Sequence, residues 1–326
     1  MPSFVEAVLE HDPSFLLDFR RGLSRFGTDL SGNAVTGEVV GSAPPVTGGG
    51  VVPSDGVFGS STTFVSDSGN TMSGSCAYRI PVATTSVGGP LRPTAATLII
   101  ACSRPSYQRY GGIFSCTQAG GWNIEVGTAT DYVNAQFRIN GAYVKASCPW
   151  STLAADSNLL IATCDGQYVR LYVNGEMVAE SDAGSLGTIQ YSTSSVTHIC
   201  LGAEPAADAA VSSFLGLSIQ YASLIPSALT VDQCQQIAAA FTATCKISGT
   251  VVQDDGSAGR VARIRAWYGS AIEQVMGGAG ADVVVSSPSG AYEAIVPSGD
   301  YEVVLVGGDG FQPVAHGPIT PIPTLA

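Results

Sequence analysis

Carboxylates are the side chains through which this 326-residue chain could carry out acid–base chemistry. Hydrolysis of a glycosidic bond with retention needs two carboxyl groups ~5–5.5 Å apart, and acidic residues that alternate along one strand supply them. No such alternation occurs here, because Glu125 stands alone on its predicted strand and Glu176 and Glu180 flank a predicted hairpin. The pattern predicts no hydrolase chemistry.

Nucleophilic and cofactor-dependent chemistry lacks its motifs as well. The three histidines, His11, His198 and His316, lie in a terminal segment, a predicted strand and a predicted tail, and no G-x-S-x-G sequence accompanies them. The glycine clusters do not have the G-x-G-x-x-G spacing that binds dinucleotides. We therefore predict a protein that is not an enzyme and that uses no cofactor.

Aromatic residues next to amides form a candidate sugar site. Sugars stack on aromatic faces while polar side chains bind their hydroxyls. The candidates lie at or near predicted strand ends: Tyr107, Tyr110, Trp122, Asn123, Tyr132 and Trp150. The alternative is that the tryptophans pack in the core and the tyrosines at an interface.

Metal sites are not predicted. Asp165 with Asp182 or Asp131 could bind calcium through loop carboxylates, but an Asp-Gly turn explains Asp165 without an ion. None of the eight cysteines forms a C-x-x-C pair, which argues against zinc. They could form disulfides of unknown pairing, or several could be small buried apolar residues. The eight are Cys76, Cys102, Cys116, Cys148, Cys164, Cys200, Cys234 and Cys245.

Charge is scarce and acidic. Charged residues make up 12% of the chain, against about 25% in an average protein. A formal net charge of −12 with only two lysines argues against nucleic acid or an anionic membrane as a partner. Such a surface predicts contacts with other chains, including copies of itself; the alternative is a polar, uncharged Ser/Thr surface.

The N-terminal segment does not have the composition of a signal peptide. Glu6, Glu10 and Asp12 occupy the place of a basic region, and no continuous apolar region follows. No apolar run approaches the ~18–20 residues that span a bilayer.

Tight turns between apolar, alternating runs predict antiparallel strands. Asp165-Gly166, Asn174-Gly175 and Asn140-Gly141 are typical of type I′ hairpin turns, in which both central residues have positive φ. Val169, Leu171 and Val173 would face a core and their neighbours solvent.

Further strands and two helices complete the predicted elements. A capping box at Ser3 and Glu6 predicts a two-turn helix, and another at Thr230 and Gln233 predicts a helix through about Phe241. The predicted strands are Phe15–Phe19, Thr94–Cys102, Gly112–Cys116, Trp122–Val126, Ala135–Ile139, Ala142–Ser147, Thr197–Gly202 and Phe214–Tyr221. Regular short strands with turn signals indicate an all-β sandwich or jelly roll.

The segment over residues 159–178 resembles laminin-G-like, concanavalin-A-like domains, in which Tyr-Asp-Gly precedes Tyr-Val-Asn-Gly; here Cys164 replaces the first Tyr. Asp29-Leu30-Ser31-Gly32-Asn33 resembles the start of such domains. After Cys245, the pattern resembles transthyretin-like, carboxypeptidase-regulatory-like modules of Ig type. The residues that carry this second resemblance are Gly290, Tyr292, Pro297, Gly299 and Tyr301.

These resemblances imply a domain order. We predict an N-terminal arm (1–14) that could order on neighbouring subunits, a lectin-type jelly-roll sandwich (15–243), a small Ig-like sandwich (244–312) and an extended Pro-rich tail (313–326). Two β-modules in series resemble structural proteins of tailed bacteriophages. The predicted function is a virion protein that decorates capsid or tail, is assembled in the host cytoplasm and contacts other virion proteins. The alternative is a carbohydrate-binding adhesin or fibre module that contacts host-surface polysaccharide.

Overall fold

A computed structural model describes most residues up to 242 and fewer after that. The described ranges are 2–19, 27–41, 46–48, 61–64, 75–82, 89–105, 110–117, 120–127, 132–155, 157–191, 198–206, 210–242, 244–250, 261–268, 271–274, 283–284, 291–297, 300–305 and 322–323. Nearly all regular structure in these ranges is strand. The prediction of an all-β fold is confirmed.

Two helices and a long series of strands make up the described residues before position 243. The helices are α1 (Phe4–Leu9) and α2 (Val231–Thr242), and a 3₁₀ turn covers Trp150–Thr152. The strands are β1 (Phe15–Asp18), β2 (Thr28–Asp29), β3 (Glu38–Gly41), β4 (Val46–Gly48), β5 (Ser61–Phe64), β6 (Cys76–Pro81), β7 (Ala96–Cys102), β8 (Gly111–Thr117), β9 (Gly121–Val126), β10 (Tyr132–Ile139), β11 (Ala142–Pro149), β12 (Asn158–Cys164), β13 (Tyr168–Val173), β14 (Glu176–Asp182), β15 (His198–Leu201), β16 (Glu204–Pro205), β17 (Val211–Ser212) and β18 (Leu217–Ile225).

Two large antiparallel sheets form a sandwich. The nine-stranded sheet runs β14-β13-β12-β7-β18-β1-β2, and β5 and β4 attach through β18. The seven-stranded sheet runs β11-β10-β9-β8-β15-β6-β3. The main core lies between them, where Leu98 and Ile100 of one sheet share a cluster with Trp122 and Ile124 of the other.

The nine-stranded sheet is covered on both faces. All residues of β7 are buried, as its continuous apolar run predicts. Because strand residues alternate between faces, Ile99 and Ala101 point away from the main core and join a second cluster with the two helices. Ile237 and Phe241 of α2 lie in that cluster.

The N-terminal helix packs on the sandwich itself rather than projecting as a free arm. The Ser3–Glu6 capping box is present. The Phe4 ring lies 4.8 Å from the ring of Tyr221 and 5.2 Å from that of Phe241. An apolar helix face this close to a sheet is more stable buried than exposed, which corrects the prediction that this segment orders on neighbouring subunits.

The Asn-Gly turns are confirmed and the Asp-Gly turn is corrected. Asn140 and Asn174 have φ of 50° and 52°, and the glycine after each is also positive, as type I′ turns require. Between β12 and β13 the positive φ belongs to Gly166. The Asp165 side chain instead accepts hydrogen bonds from the backbone N–H groups of Gln167 and Tyr168, which builds a longer loop.

Buried thiols replace the disulfides that the cysteine count allowed. The seven cysteines whose side chains are described, all but Cys245, are buried, and none of these seven forms a disulfide. Burial raises the pKa of Cys102 and of Cys164 to about 12. These side chains act as small apolar residues of the core.

After residue 243, the described strands are β19 (Thr244–Thr250), β20 (Val261–Tyr268), β21 (Ala271–Gln274), β22 (Val283–Val284), β23 (Ala291–Pro297), β24 (Asp300–Leu305) and β25 (Ile322–Pro323). They form a three-stranded sheet, β23-β19-β25, and a four-stranded sheet around β20. The Ig-like assignment and the domain boundaries stay predictions. Among the described residues, neither helix has the length and apolar character needed to cross a membrane.

Candidate functional site

Polar side chains occupy the outer face of the seven-stranded sheet. Trp122, Ile124 and Val126 of β9 point into the main core, so Asn123 and Glu125 point to the opposite face. The same alternation on β10 places two more amides there, and on β11 it places a tyrosine and a lysine. The sequence therefore builds one apolar and one polar face from the same three strands.

Strand register brings these polar residues together. Asn134 lies opposite Glu125, and Gln136 lies opposite Asn123. Gln136 also lies opposite Lys145 of β11. Directly paired residues on one face have Cβ atoms ~4.5–5.5 Å apart, so the five side chains are in contact range.

Glu125 is the centre of this arrangement. Its Oε2 accepts hydrogen bonds from Asn123 Nδ2 at 2.9 Å and from Gln136 Nε2 at 2.8 Å. Its Oε1 accepts from Asn134 Nδ2 at 3.2 Å and from Lys145 Nζ at 3.4 Å. The residue is only 2% exposed, so protein donors take the place of water around the carboxylate.

A second carboxylate reaches this face from β16, 79 residues later. Glu204 Oε1 accepts from Asn123 Nδ2 and from the Tyr110 hydroxyl, each at 2.8 Å. Asn123 thus donates to both carboxylates. We call Tyr110, Asn123, Glu125, Asn134, Gln136, Lys145 and Glu204 the Glu125 cluster.

Gly112 of β8 allows Glu204 to approach the sheet. A Cβ at this position would lie 2.5 Å from the carbonyl oxygen of Ala203 and 3.0 Å from Glu204 Cγ. Any larger residue would push the β16–β17 hairpin away from the sheet.

Burial governs the ionisation of the two carboxyl groups. It raises the pKa of Glu125, and the nearby Lys145 ammonium and the amide donors oppose that rise. Burial also raises the pKa of Glu204, opposed by the Tyr110 hydrogen bond and reinforced by the charge of Glu125. Because each carboxylate lies near the other, the ionisation of one disfavours the ionisation of the other.

One acceptor in the cluster has no partner within the described part of the chain. Asn123 is fully buried, and its Oδ1 makes no hydrogen bond there although its Nδ2 makes two. A buried acceptor left unpaired costs about 1–3 kcal/mol.

The rim of the cluster is open to solvent. Tyr132, two residues before Asn134 on β10, is 46% exposed, and Tyr143, two residues before Lys145 on β11, is 39% exposed. The Tyr143 hydroxyl is held by the backbone N–H of Gly120 at 2.9 Å. Strand period 2 places both tyrosines on the face that carries the cluster.

The structure places the predicted sugar-site residues in different environments. Tyr110, Asn123 and Tyr132 lie on the outer face, and Tyr107 lies outside the described residues. Trp122 is fully buried against Phe114, with ring centroids 5.0 Å apart. Trp150 packs against the main core, with the Arg104 guanidinium 5.9 Å from its ring.

For the tryptophans, the alternative of core packing is therefore correct. A ring with no exposed surface cannot stack on a sugar, so the prediction is wrong for Trp122. Trp150 is 8% exposed, which leaves too little of its ring for stacking.

Sequence reasoning missed most of the cluster. The sequence showed Glu125 as an isolated carboxylate, yet Glu204 lies next to it. The available signal was the polar alternation Asn123-x-Glu125 on one strand and Asn134-x-Gln136 on the next, at positions that should face solvent. Nothing local identifies Glu204, whose position depends on the β16–β17 hairpin.

The predicted alternative of a calcium ligand at Asp165 is not supported. Its Oδ1 accepts two backbone hydrogen bonds, and its Oδ2 lies 2.9 Å from Arg170 Nη1. Both oxygens are therefore used in the turn and in an ion pair.

No family model and no curated protein matches this sequence. Solved structures with a similar fold include the binding domain of Paraclostridial Mosquitocidal Protein 1, at 11% identity and a TM-score of 0.52, over 90% of this chain and 75% of that one. The binding domain of botulinum neurotoxin DC, in complex with SialylT, is similar at 8% identity and a TM-score of 0.53, over 91% and 71%. Its complex with rat synaptotagmin II gives 9% identity and a TM-score of 0.53, over 94% and 74%.

At these identities the likeness concerns the fold. The chain has the all-β sandwich architecture that binding domains of clostridial toxins use. The predicted sandwich is thereby confirmed, and no bacteriophage protein is among these three structures.

Proposed function

We propose that this chain is a carbohydrate-binding module and that the Glu125 cluster with its tyrosine rim is the binding face. The observation that carries the proposal is the pair of exposed tyrosines, Tyr132 and Tyr143, beside a polar cluster that a buried carboxylate holds in a fixed arrangement. Amides and carboxylates bind sugar hydroxyls, and tyrosine rings stack on sugar faces. Polar and aromatic side chains of both kinds lie on one face.

The fold supports the same function. Two of the similar structures were solved with partners, one named SialylT and the other rat synaptotagmin II. A β-sandwich of this type therefore presents surfaces to other molecules in those proteins. Cell-surface glycan is the partner that the chemistry of the outer face favours here.

Hydrogen bonding argues against catalysis at the cluster. Both oxygens of Glu125 accept two hydrogen bonds each. A carboxylate that attacks a sugar or activates water needs a free lone pair directed at its target. Glu125 is therefore suited to positioning the amides.

The test is a glycan array followed by calorimetry with Tyr132→Ala and Tyr143→Ala. Loss of one stacking contact is expected to weaken binding about 2- to 12-fold. The matched control is Tyr168→Ala, which removes a tyrosine from β13 in the other sheet. The proposal is wrong if no glycan binds, or if the control weakens binding as much as the rim variants do.

The virion role, the location in a phage particle and the homo-oligomer stay predictions from the sequence. Low charge and lysine scarcity are the features that motivate them. A phage fibre module that binds glycans would combine the virion role with carbohydrate binding. Light scattering tests the oligomer, since a discrete trimer, pentamer or hexamer is expected for a virion component.

A further inference from the structure

The two exposed tyrosines of the outer face lie toward opposite ends of one hairpin. Tyr143 of β11 is directly opposite Arg138 of β10, which is six residues after Tyr132 on the same strand. At ~3.4 Å per residue, six residues of an antiparallel strand span ~20 Å. A single ligand that contacts both tyrosines must therefore extend along the strands over a similar length.

The anchored hydroxyl of Tyr143 keeps the two rings apart. It accepts a hydrogen bond from the backbone N–H of Gly120, which precedes β9. Tyr132 lies at the other end of that strand, because its neighbour Val133 is opposite Val126, the last residue of β9. The Tyr143 ring is thus held at the end of the sheet that is farther from Tyr132, and it cannot turn toward Tyr132 without breaking this hydrogen bond.

Exposed polar side chains lie between the tyrosines. Alternation along β11 directs Lys145 and Ser147 outward, while Ala146 and Cys148 lie in the main core. Ser147 is exposed, and the Lys145 side chain is 47% exposed. An ammonium and a hydroxyl at the surface can form hydrogen bonds with sugar hydroxyls without access to any buried atom. The surface from Tyr132 to Tyr143 therefore has an aromatic ring at each end and polar groups in the middle.

We infer that the outer face binds an extended, linear oligosaccharide lengthwise along the β10–β11 hairpin, with one sugar unit on Tyr132, another on Tyr143 and the intervening units over Lys145 and Ser147. The inference rests on the proposed function and specifies its ligand class. A pyranose ring is similar in size to a tyrosine ring, so a disaccharide reaches one tyrosine at a time, whereas a tetrasaccharide reaches both.

Calorimetry on the unaltered full chain tests the dependence on ligand length. The probes are cello-, chito- and alginate oligosaccharides, each from disaccharide to hexasaccharide. In a series that binds, affinity is expected to rise up to the tetrasaccharide and then to level off, with about 2- to 12-fold coming from the second tyrosine contact alone. A disaccharide that binds as tightly as the hexasaccharide would overturn the inference.

Tyrosine variants show whether one ligand contacts both rings. With the tetrasaccharide, Tyr132→Ala and Tyr143→Ala should each weaken binding, and because the two residues are far apart, the losses in binding free energy should add in the double variant. The control is again Tyr168→Ala in the other sheet, which should leave the affinity unchanged. If either rim variant folds and binds the tetrasaccharide as tightly as the unaltered chain, one ligand does not span both tyrosines and the inference is wrong.

The glycan array separates failure of this inference from failure of the proposed function. If the array shows binding only to branched or short terminal glycans, the proposed function stands and the lengthwise site does not. If no glycan binds on the array or in the three series, the proposed function itself fails.

Discussion

Two buried carboxyl groups that share one amide are the most informative residues of this molecule. Glu125 and Glu204 both accept from Asn123 Nδ2, so their oxygens lie within two hydrogen-bond lengths of each other. Only Lys145 forms an ion pair with either carboxylate within the described part of the chain. Like charges this close cannot both ionise freely, which ties the protonation of Glu204 to the stability of the fold.

We predict that the contribution of Glu125 and Glu204 to the free energy of unfolding falls as pH rises above about 4.5, and that Glu204→Gln removes part of this fall. Burial raises the folded-state pKa of both groups above the value of 4.5. A raised acid pKa means that the native state holds its proton more tightly, so its stabilising contribution is complete at low pH and is lost through the folded pKa. Thermal unfolding between pH 5 and 8 measures the effect.

The control for this prediction is Glu176→Gln, which removes an exposed carboxylate of β14. It should leave the pH dependence of Tm unchanged. A Glu204→Gln variant whose Tm varies with pH as steeply as that of the unaltered chain would contradict the coupling.

At this scale the sequence predicted residue types better than partners. It identified Asn123 and Tyr132 as candidates, and both lie on the outer face. It misplaced Trp122 because an aromatic residue near a strand end looks the same whether it faces the core or solvent. Glu204 could not be predicted, since its contact with Glu125 exists only after β8 and β15 have paired.

Helix α1 is the element whose contribution to stability is easiest to test. Phe4 is 6% exposed and touches two aromatic rings. We expect Phe4→Ala to lower the free energy of unfolding by about 3–5 kcal/mol, and Ser3→Ala by about 1 kcal/mol through loss of the cap. Denaturant unfolding measures both.

The comparison for α1 is Val39→Ala, which truncates a side chain that is 38% exposed on the edge strand β3. A change below about 0.5 kcal/mol is expected there. If Phe4→Ala lowered the free energy of unfolding by no more than Val39→Ala does, helix α1 would not be packed on the sandwich.

Alanine substitutions at Gly112 and Gly141 distinguish the effect of a steric clash from the effect of backbone strain. Gly112→Ala would place a methyl group against Ala203 and Glu204, so we expect it to loosen the β16–β17 hairpin and to weaken glycan binding. Gly141→Ala meets nothing within 4 Å but has a φ of +84°, so it should cost about 1–2 kcal/mol without affecting binding. Equal effects on binding would show that the hairpin does not support the site.

Local chemistry predicted the elements but not their order. Asn-Gly pairs fixed two hairpins, and the Thr230–Gln233 capping box, with its two backbone–side-chain hydrogen bonds, located α2. The position of β1 next to β18 has no local signal, because the paired strands lie at opposite ends of the sandwich sequence.

At the scale of the whole molecule, the cysteines make the described fold independent of redox conditions. Seven are buried and form no disulfide among the described residues, so we expect at most one fast-reacting thiol per chain in the native state, belonging to Cys245. Titration with a thiol reagent, before and after denaturation, measures the two populations. Cys245→Ser should abolish any fast reaction, and reductant should leave Tm unchanged.

More than one fast thiol would show that part of the described core opens readily. Fewer than eight thiols after denaturation without reductant would reveal a disulfide. The sequence alone did not distinguish a buried thiol from a disulfide, since a cysteine in an apolar run is compatible with either one.

Strand β18 also determines when this sandwich can form. It lies between β7 and β1, and Phe15 pairs with Leu224. Contacts between such distant residues make folding slow, because the loop must close before the contact stabilises it. During synthesis at about 5–20 residues per second, the edges of β1 and β7 stay unpaired until residue 225 has left the ribosome. The nascent chain therefore exposes two apolar sheet edges from the synthesis of β7 until β18 emerges, and a truncation between these two strands is expected to aggregate.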